Sequence, residues 1–177
     1  IPARGGSKGI PGKNLIQLGG RPLLDWTVQA ALAAVAVDEV LVTSDDDDVL
    51  ALAAELGVTA HRRPARLARD EVHAVHAVLE VVAGRTGPTR PHTVVMVLPT
   101  SPFRRPEDID GAVDLLASSG APSVVSVVPL DKQLVHLRSI GPDGSLQAFV
   151  DQSRVNAQRQ DQPLLYGLNG SVYAMAA

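Results

Sequence analysis

The chain has 177 residues, 45% of them apolar, and a net charge of −3 from 16 Lys and Arg against 19 Asp and Glu. This composition predicts one compact domain over residues 1–177 and excludes a disordered charged tail. It gives no sign of a surface for nucleic acid or membrane, and the lack of cysteine excludes a disulfide scaffold, a thiolate zinc site and a cysteine nucleophile.

Short β-branched runs alternate with amphipathic stretches along most of the chain. In chain order, the pattern predicts a helix over 23–35, a strand over 39–43, a helix over 49–56, a helix over 72–82, a strand over 92–98, a helix over 106–120 and a strand over 123–128. This alternation is typical of βαβ units, so we expect an α/β, Rossmann-like fold, with a mostly parallel twisted sheet and helices on both faces. In such sheets, ligands bind beyond the carboxyl ends of the strands.

Residues 129–162 break this pattern, because they are polar and weakly periodic and contain the turn sequence Gly141-Pro142-Asp143-Gly144. Unstructured connections of this length are uncommon in compact domains. We therefore expect an excursion near 129–162, in the form of a surface excursion, a lid or a dimer arm. An ordinary long connection is the alternative.

The first 14 residues form the most informative stretch, with four glycines, one serine and the three cations Arg4, Lys8 and Lys13. Glycines let backbone N–H groups approach an anion closely, and the cations add charge, which together predict a polyphosphate cradle. The stretch matches neither the Walker A nor the dinucleotide-binding pattern. The alternative, a solvated basic turn, is disfavoured because three such close cations would repel one another without an anion.

Two other clusters contain residue types that bind metals. The run Asp45 to Asp48 follows a predicted strand, and it is more typical of a helix start than of a metal cluster, although Asp45 is placed to face a site. His73 and His76 have no evident third ligand, so a zinc site is not expected. No metal ligand is predicted within the chain.

The stretch from Ala3 to Asn14 closely resembles the N-terminal signature of the acylneuraminate cytidylyltransferases, the CMP-sialic acid synthetase family. Four further stretches resemble motifs of the same family in the same order, at residues 42–46, 63–70, 98–104 and 159–173. The resemblance implies a nucleotidyltransferase-type fold and an enzyme that transfers CMP from CTP to a sialic-acid-like keto-sugar acid and releases pyrophosphate. The alternatives are another acidic acceptor, such as a different ulosonic acid or a phosphonate, and a member that binds nucleotide without turnover.

The resemblance also implies roles for individual residues. The expected catalytic cations at the triphosphate are Arg4, Lys8 and Lys13. The expected nucleotide-binding residues are Ala3, Gly5, Gly6, Ser7, Asn14, Arg63, Asp70 and Val72. The expected acceptor-binding residues are Leu98, Thr100, Ser101, Arg104, Arg159 and Asn169. A surface arginine is the alternative for Arg63, and a rigid proline-flanked turn is the alternative for Thr100 and Ser101.

Three departures from the family pattern set further expectations. Leu98 and Gly167 stand where the family usually has a glutamine and often an arginine, so the acceptor is expected to be acidic but to differ from N-acetylneuraminate. The chain ends at Ala177, before the family's C-terminal stretch whose carboxylates hold Mg²⁺, so we expect this cofactor's ligands to lie beyond the chain. The resemblance also implies a homodimer. We expect a cytoplasmic location, because no apolar run approaches the roughly 20 residues that span a bilayer and the start is polar.

Overall fold

The structure is a computed structural model, and it describes residues 1–6, 9–130, 138–148 and 164–177. The helices in these ranges are α1 Leu23–Ala33, α2 Asp47–Glu55, α3 Ala74–Ala83 and α4 Pro106–Ser119. The strands are β1 Gln17–Leu18, β2 Arg21–Pro22, β3 Leu41–Ser44, β4 Thr59–Arg62, β5 Thr93–Met96, β6 Ser123–Pro129, β7 Arg138–Ile140, β8 Leu146–Ala148 and β9 Tyr166–Ala176. Every helix and strand predicted from the sequence is present, with small shifts at the ends, and the α/β prediction is confirmed.

The strands in the first part of the chain pair in parallel. β3 and β4 run parallel, with Leu41 opposite Thr59 and Ser44 opposite Arg62, and α2 forms the crossover between them. The first residues also run parallel to β3, because Ala3 donates its N–H to the Thr43 carbonyl at 3.0 Å and Pro2 bridges Thr43. Three neighbouring segments therefore end at the same edge.

The last strand enters a second sheet with the order β5-β9-β6. β9 runs antiparallel to β5, from Met96 opposite Tyr173 to Thr93 opposite Ala176. An antiparallel strand on an otherwise parallel arrangement is common in α/β folds. The sequence pattern did not predict this strand, because Gly167, Asn169 and Gly170 interrupt the β-branched signal.

The core is built from small aliphatic side chains of helices and strands. Leu24 and Val28 on α1 are one helical turn apart and completely buried, as is Val42 on β3. The same cluster contains Ile109 of α4 and Val172 of β9. Burial of an aliphatic side chain of this size contributes about 1.5–3 kcal/mol, so this cluster holds the helices on the strands that carry the site.

The described chain divides into two compact units. The first contains Ile1–Ser126 and Gly170–Ala177, and the second contains Val127–Asn169, which includes the segment predicted as an excursion. Within the second unit, β7 and β8 form an antiparallel hairpin, and Gly144 has a φ of 80° in its turn, which glycine adopts without strain. None of the described helices is long and apolar enough to cross a membrane.

Candidate active site

Three polar residues mark the edge at which the parallel segments end. Arg4 follows the segment beside β3, Asp45 follows β3 itself, and Arg63 follows β4. The backbone N–H of Arg63 still donates to the Ser44 carbonyl at 2.8 Å, so Arg63 continues the parallel ladder by one step. The carboxyl ends of parallel strands meet here, where the fold predicts a ligand site.

The glycine-rich segment after Ala3, which we call the front loop (residues 4–14), is held by two side chains. Asp45 Oδ1 accepts the backbone N–H of Gly5 at 3.0 Å, and the Asn14 amide donates to the Arg4 carbonyl at 2.9 Å. Asn14 is buried, whereas Lys13, which begins a short 3-10 helix, is half-buried. The loop backbone is therefore fixed at both ends, while Gly6 is exposed.

Gly5 is required by a close approach. A Cβ at this position would lie 2.7 Å from the Cβ of Asp46 and would also collide with its carboxylate. Its N–H is engaged by Asp45. Gly5 was expected to donate its backbone N–H to phosphate. In this structure that N–H already donates to Asp45.

The aspartate run begins helix α2, as its sequence indicated. Asp46 Oδ1 accepts from the backbone N–H groups of Asp48 at 2.9 Å and Val49 at 3.2 Å, which is an N-cap. Asp47 forms an ion pair with Arg62, and the other guanidinium nitrogen of Arg62 donates to the Asp45 carbonyl at 2.9 Å. The sequence analysis did not identify Arg62. Its position in β4, opposite Ser44, places it beside the start of α2.

Arg63 is buried beside the front loop, with 4% of its surface exposed. One guanidinium nitrogen donates to the Thr43 carbonyl at 2.7 Å, but its Nε finds no acceptor among the residues that the structure describes. Burial lowers the pKa of Arg63 below its usual value; the carboxylate of Asp45 opposes this shift and the positive charge of Arg4 adds to it. A buried donor without a partner is costly, so this atom is suited to a ligand acceptor.

Arg4 and Asp70 come together although 66 residues separate them. Arg4 Nη1 donates to Asp70 Oδ1 at 2.6 Å, and the side chains are 34% and 37% exposed. Val72 lies in the same irregular segment and is half-buried, with its N–H on the Arg69 carbonyl. The sequence singled out both members of the ion pair but not their contact.

The segment after β5 contains most of the residues predicted to bind the acceptor. Thr100 is exposed, while Leu98 and Ser101 are half-buried, and Leu98 Cδ1 would lie 3.4 Å from a Cβ placed on Gly170. Arg104 differs, since it is only 6% exposed.

Each guanidinium nitrogen of Arg104 lies within hydrogen-bonding distance of a protein oxygen. The group donates to the carbonyls of Ser171 at 2.7 Å and Leu98 at 2.8 Å, and it lies 3.4 Å from the Thr27 hydroxyl. Burial lowers the pKa of Arg104 to about 10, opposed by Asp108, so the group stays protonated at neutral pH. These contacts favour a positioning role, in which Arg104 ties the segment after β5 to β9, over direct contact with the acceptor.

Of the remaining predicted residues, Asn169 is exposed on β9, whereas Ser7, Lys8 and Arg159 lie outside the described residues.

A cavity of about 630 Å³ lies elsewhere, lined by the segments that enter β3 and β5, and its lining includes neither Arg4 nor Arg63. The edge site at the front loop is therefore distinct from that cavity.

The described residues do not fit a magnesium cage. They contain no group of three acidic or histidine side chains that could hold a metal. Asp45 is engaged by Gly5, and Asp46 by the start of α2. Magnesium prefers oxygen ligands in near-octahedral geometry, which these two committed carboxylates do not supply.

Comparison with known proteins identifies the family of this chain. The cytidylyltransferase family model matches residues 1–167. The chain belongs to this family. Cytidylyltransferases of this kind are nucleotidyltransferases that use CTP and generally require a divalent metal, and the chain is by family an enzyme that transfers CMP to an acidic sugar.

Individual relatives give the same result. The chain is 35% identical over its whole length to a CMP-N,N'-diacetyllegionaminic acid synthase of Legionella pneumophila, covering 76% of that protein. It is 33% identical to N-acylneuraminate cytidylyltransferase B of Danio rerio and 31% identical to the Escherichia coli N-acylneuraminate cytidylyltransferase. The alignments cover 98% of this chain but only 40% of either protein.

Solved structures support the fold of this cytidylyltransferase. A CMP-2-keto-3-deoxy-manno-octonic acid synthetase in complex with CTP superposes with a TM-score of 0.72 at 19% identity, covering 99% of this chain and 71% of that one. A 4-diphosphocytidyl-2C-methyl-D-erythritol synthase from Anaerococcus prevotii has a TM-score of 0.61 at 13% identity and covers 99% and 69%. At these identities the likeness concerns the fold, and it confirms the nucleotidyltransferase-type prediction.

Proposed function

We propose that this chain binds CTP at the front loop and transfers the CMP group to a keto-sugar acid of the sialic-acid type, with release of pyrophosphate. The observation that carries the proposal is the arrangement of Arg4 and Arg63 at the carboxyl edge of the parallel strands, beside a glycine-rich loop that Asp45 and Asn14 hold in place. The backbone held at Arg4, Gly5 and Asn14 can meet an anion without rearranging at those residues, which favours electrostatic stabilisation.

In the proposed reaction, an acceptor oxygen attacks the α-phosphorus of CTP, and the bond from that phosphorus to the pyrophosphate oxygen breaks. Negative charge grows on the non-bridging and leaving oxygens. Arg4 and Lys13, with Lys8 as the third cation of the loop, would neutralise this charge and align the triphosphate. Mg²⁺ is the divalent ion that we propose for the enzyme, with no ligands assigned among the described residues.

Arg63 is assigned to the cytosine base. Its buried guanidinium keeps a donor without an acceptor in the described chain, and the O2 and N3 atoms of cytosine are acceptors that a guanidinium fits. Its position one step beyond β4 supports this assignment, since that is the edge from which the front loop also starts.

For the acceptor, we propose a keto-sugar acid other than N-acetylneuraminate. Leu98 offers an apolar wall beside Gly170 where a glutamine of the family would offer an amide. A site with such a hydrogen-bonding side chain prefers substrates that carry the matching polar group. Without the side chain, this preference is lost. Since the Legionella relative is named for N,N'-diacetyllegionaminic acid, that compound is the first acceptor to test.

Kinetics of Lys13→Ala and Arg4→Ala test the loop assignment. Each change is expected to lower kcat/KM with CTP by a factor of about 10²–10³, the loss typical of a preorganised donor to the transition state. Both variants should melt near the wild type, because neither side chain belongs to the core. Arg90→Ala removes an exposed cation elsewhere and serves as the control. Activity within twofold of the wild type in both loop variants would remove the loop from the mechanism.

Product mass spectrometry on the full-length enzyme tests the acceptor. CTP is supplied with diacetyllegionaminic acid, N-acetylneuraminic acid or a phosphonate, and the CMP conjugate that forms fastest identifies the acceptor class. We expect Leu98→Gln to raise the use of N-acetylneuraminate; Gly167→Arg is added second, since its Cβ would lie 3.0 Å from Leu130 Cδ2. Loading of N-acetylneuraminate by the wild type at about 10⁴ M⁻¹s⁻¹ or better would contradict the proposal. Nucleotide binding with no pyrophosphate release would indicate a non-catalytic member.

We further propose a homodimer in the cytoplasm. The apolar side chains exposed on the β7–β8 hairpin of the second unit support self-association: Ile140 is 75% exposed and Leu146 is 72% exposed. These two residues pair directly across the hairpin, so they form one apolar patch on one face.

A further inference from the structure

We propose that Asp70 is an internal counter-anion for Arg4, a carboxylate that takes the place of a phosphate oxygen while the site is empty and that CTP displaces on binding. This inference rests on the proposed function, because it requires Arg4 to serve the triphosphate. It adds a role that the fold alone does not imply: Asp70 would tune how tightly the site holds polyphosphate and how readily it releases pyrophosphate.

The contact has the geometry of a charge-assisted hydrogen bond. Arg4 Nη1 lies 2.6 Å from Asp70 Oδ1, just below the usual range of about 2.7–2.9 Å for charged partners. The backbone of Arg4 is fixed, because its carbonyl accepts the Asn14 amide and the next N–H is bound to Asp45. Only the side chain of Arg4 needs to move to exchange one oxygen partner for another.

The ion pair is placed where it can be broken at little cost. Both side chains are about one-third exposed, at 34% and 37%, and ion pairs with this exposure contribute little to stability. Asp70 lies in an irregular segment between a 3-10 helix at Ala65–Leu67 and helix α3, so no regular hydrogen-bond ladder depends on its position.

The charges around Arg4 explain why a counter-anion is useful there. Arg63 is close enough for the charge of Arg4 to lower its pKa, so two guanidinium groups share this edge. The carboxylate of Asp45 offsets Arg63, but its Oδ1 also holds the front loop. Asp70 is the carboxylate that neutralises Arg4 from outside the loop, which makes it the more readily displaced of the two.

Displacement has a measurable consequence for anion affinity. A phosphate oxygen that approaches Arg4 must replace the Asp70 carboxylate and remain near its negative charge, so Asp70 lowers the affinity for CTP and for pyrophosphate. Removing the charge while keeping the shape, as in Asp70→Asn, should therefore tighten binding. We expect the Kd for pyrophosphate to fall about fivefold, the effect of losing one partly exposed charge interaction.

Calorimetric titration of inorganic pyrophosphate into the full-length protein tests this prediction. Glu39→Gln is the matched control, because Glu39 pairs with Arg85 at 2.7 and 2.9 Å on another part of the first unit and the substitution removes the same charge. We expect its Kd to stay within twofold of the wild type. In the Arg4→Ala background, Asp70→Asn should give a smaller gain than in the wild type, because no Arg4–Asp70 pair remains to be displaced; an equal gain in both backgrounds would contradict the counter-anion role.

The outcomes separate the inference from the proposed function. If the wild type binds pyrophosphate and Arg4→Ala weakens that binding, but Asp70→Asn binds no tighter than the wild type, the counter-anion role is wrong while the loop assignment stands. If the wild type binds neither pyrophosphate nor CTP, the loop assignment itself fails. A thermal melt checks that Asp70→Asn is folded; should it not be, Asp70→Ser is titrated in its place and the same fall in Kd is required.

Discussion

Two buried arginines show how differently the same residue type can be used. Arg63 and Arg104 are 4% and 6% exposed, and burial lowers the pKa of both. Each of the three guanidinium nitrogens of Arg104 lies within hydrogen-bonding distance of a protein oxygen, whereas Arg63 leaves its Nε without an acceptor in the described chain. The satisfied group stabilises the fold, and the unsatisfied one is suited to a ligand.

Arg104→Ala is therefore expected to lower the free energy of unfolding by about 1.5–3 kcal/mol, because it leaves two partly buried carbonyls without their charged donor. Denaturant melts measure this value. The neighbouring Arg105 is exposed and makes a surface ion pair with Asp108, so Arg105→Ala should cost about 1 kcal/mol or less. Equal losses in the two variants would show that the Arg104 contacts do not stabilise the domain.

At the scale of elements, the junction between β3 and α2 supports both the helix and the front loop. Asp46 caps α2, its side chain occupies the space beside Gly5, and Asp45 accepts the Gly5 N–H. The start of one helix therefore shapes the loop that carries Arg4. Loss of the cap should therefore lower the free energy of unfolding and also disturb the front loop.

We expect Asp46→Ala to lower the free energy of unfolding by about 0.5–2 kcal/mol, as other lost N-caps do. Asp46→Asn should retain most of the stability, since its amide oxygen can still accept from the two N–H groups. Thermal and denaturant melts compare the variants with Asp48→Ala, whose side chain is not the cap. A loss in Asp48→Ala as large as that in Asp46→Ala would contradict the capping assignment.

The start of α4 predicts a dependence on pH. The Asp108 carboxylate accepts the Arg105 backbone N–H at 2.9 Å and also pairs with its guanidinium, and chiefly that backbone bond lowers the pKa of Asp108 below its ordinary value. A lowered pKa in the folded state means that the stabilisation is complete above the unfolded-state pKa and is lost as the pH falls through the folded-state value. Asp108→Asn should therefore lose stability at pH 7 but differ less from the wild type near pH 2. A difference that is the same at both pH values would refute this.

At the scale of the whole molecule, the second unit exposes several large apolar side chains. Ile140 and Leu146 face solvent side by side, and Leu164, Tyr166 and Leu168 are exposed on and before β9. Of these, Ile140 and Leu146 are shown to be neighbours, and neighbouring exposed apolar side chains favour an interaction site. It is the surface through which we expect two copies to associate.

Sedimentation velocity on the double variant Ile140→Lys with Leu146→Lys tests that expectation. The wild type should sediment as a dimer and the variant as a monomer, because a charge placed in an apolar interface is costly to desolvate. Val35→Lys is the control, since Val35 is 93% exposed in the first unit and should leave the dimer intact. A wild type that is monomeric at every concentration would overturn the proposed assembly.

The amino-acid sequence by itself determined the features that depend on near neighbours. Helices α1 to α4 and strands β3, β5 and β6 follow from local periodicity, and the stops at Gly57 and Gly120 follow from their positive φ angles of 74° and 66°. The front loop was identifiable because glycine, Arg and Lys within a few residues already specify an anion-binding composition.

Tertiary structure alone decided the features that join distant residues. The Arg4–Asp70 pair spans 66 residues, Arg104 reaches Ser171 across 67, and β9 lies between β5 and β6, two strands from the middle of the chain. A periodic pattern cannot indicate which distant residue meets which, because that depends on how the helices pack on the strands. For the same reason, Arg104 was expected at the acceptor but lies in the interior: its burial depends on α1, β9 and the segment after β5 closing around it.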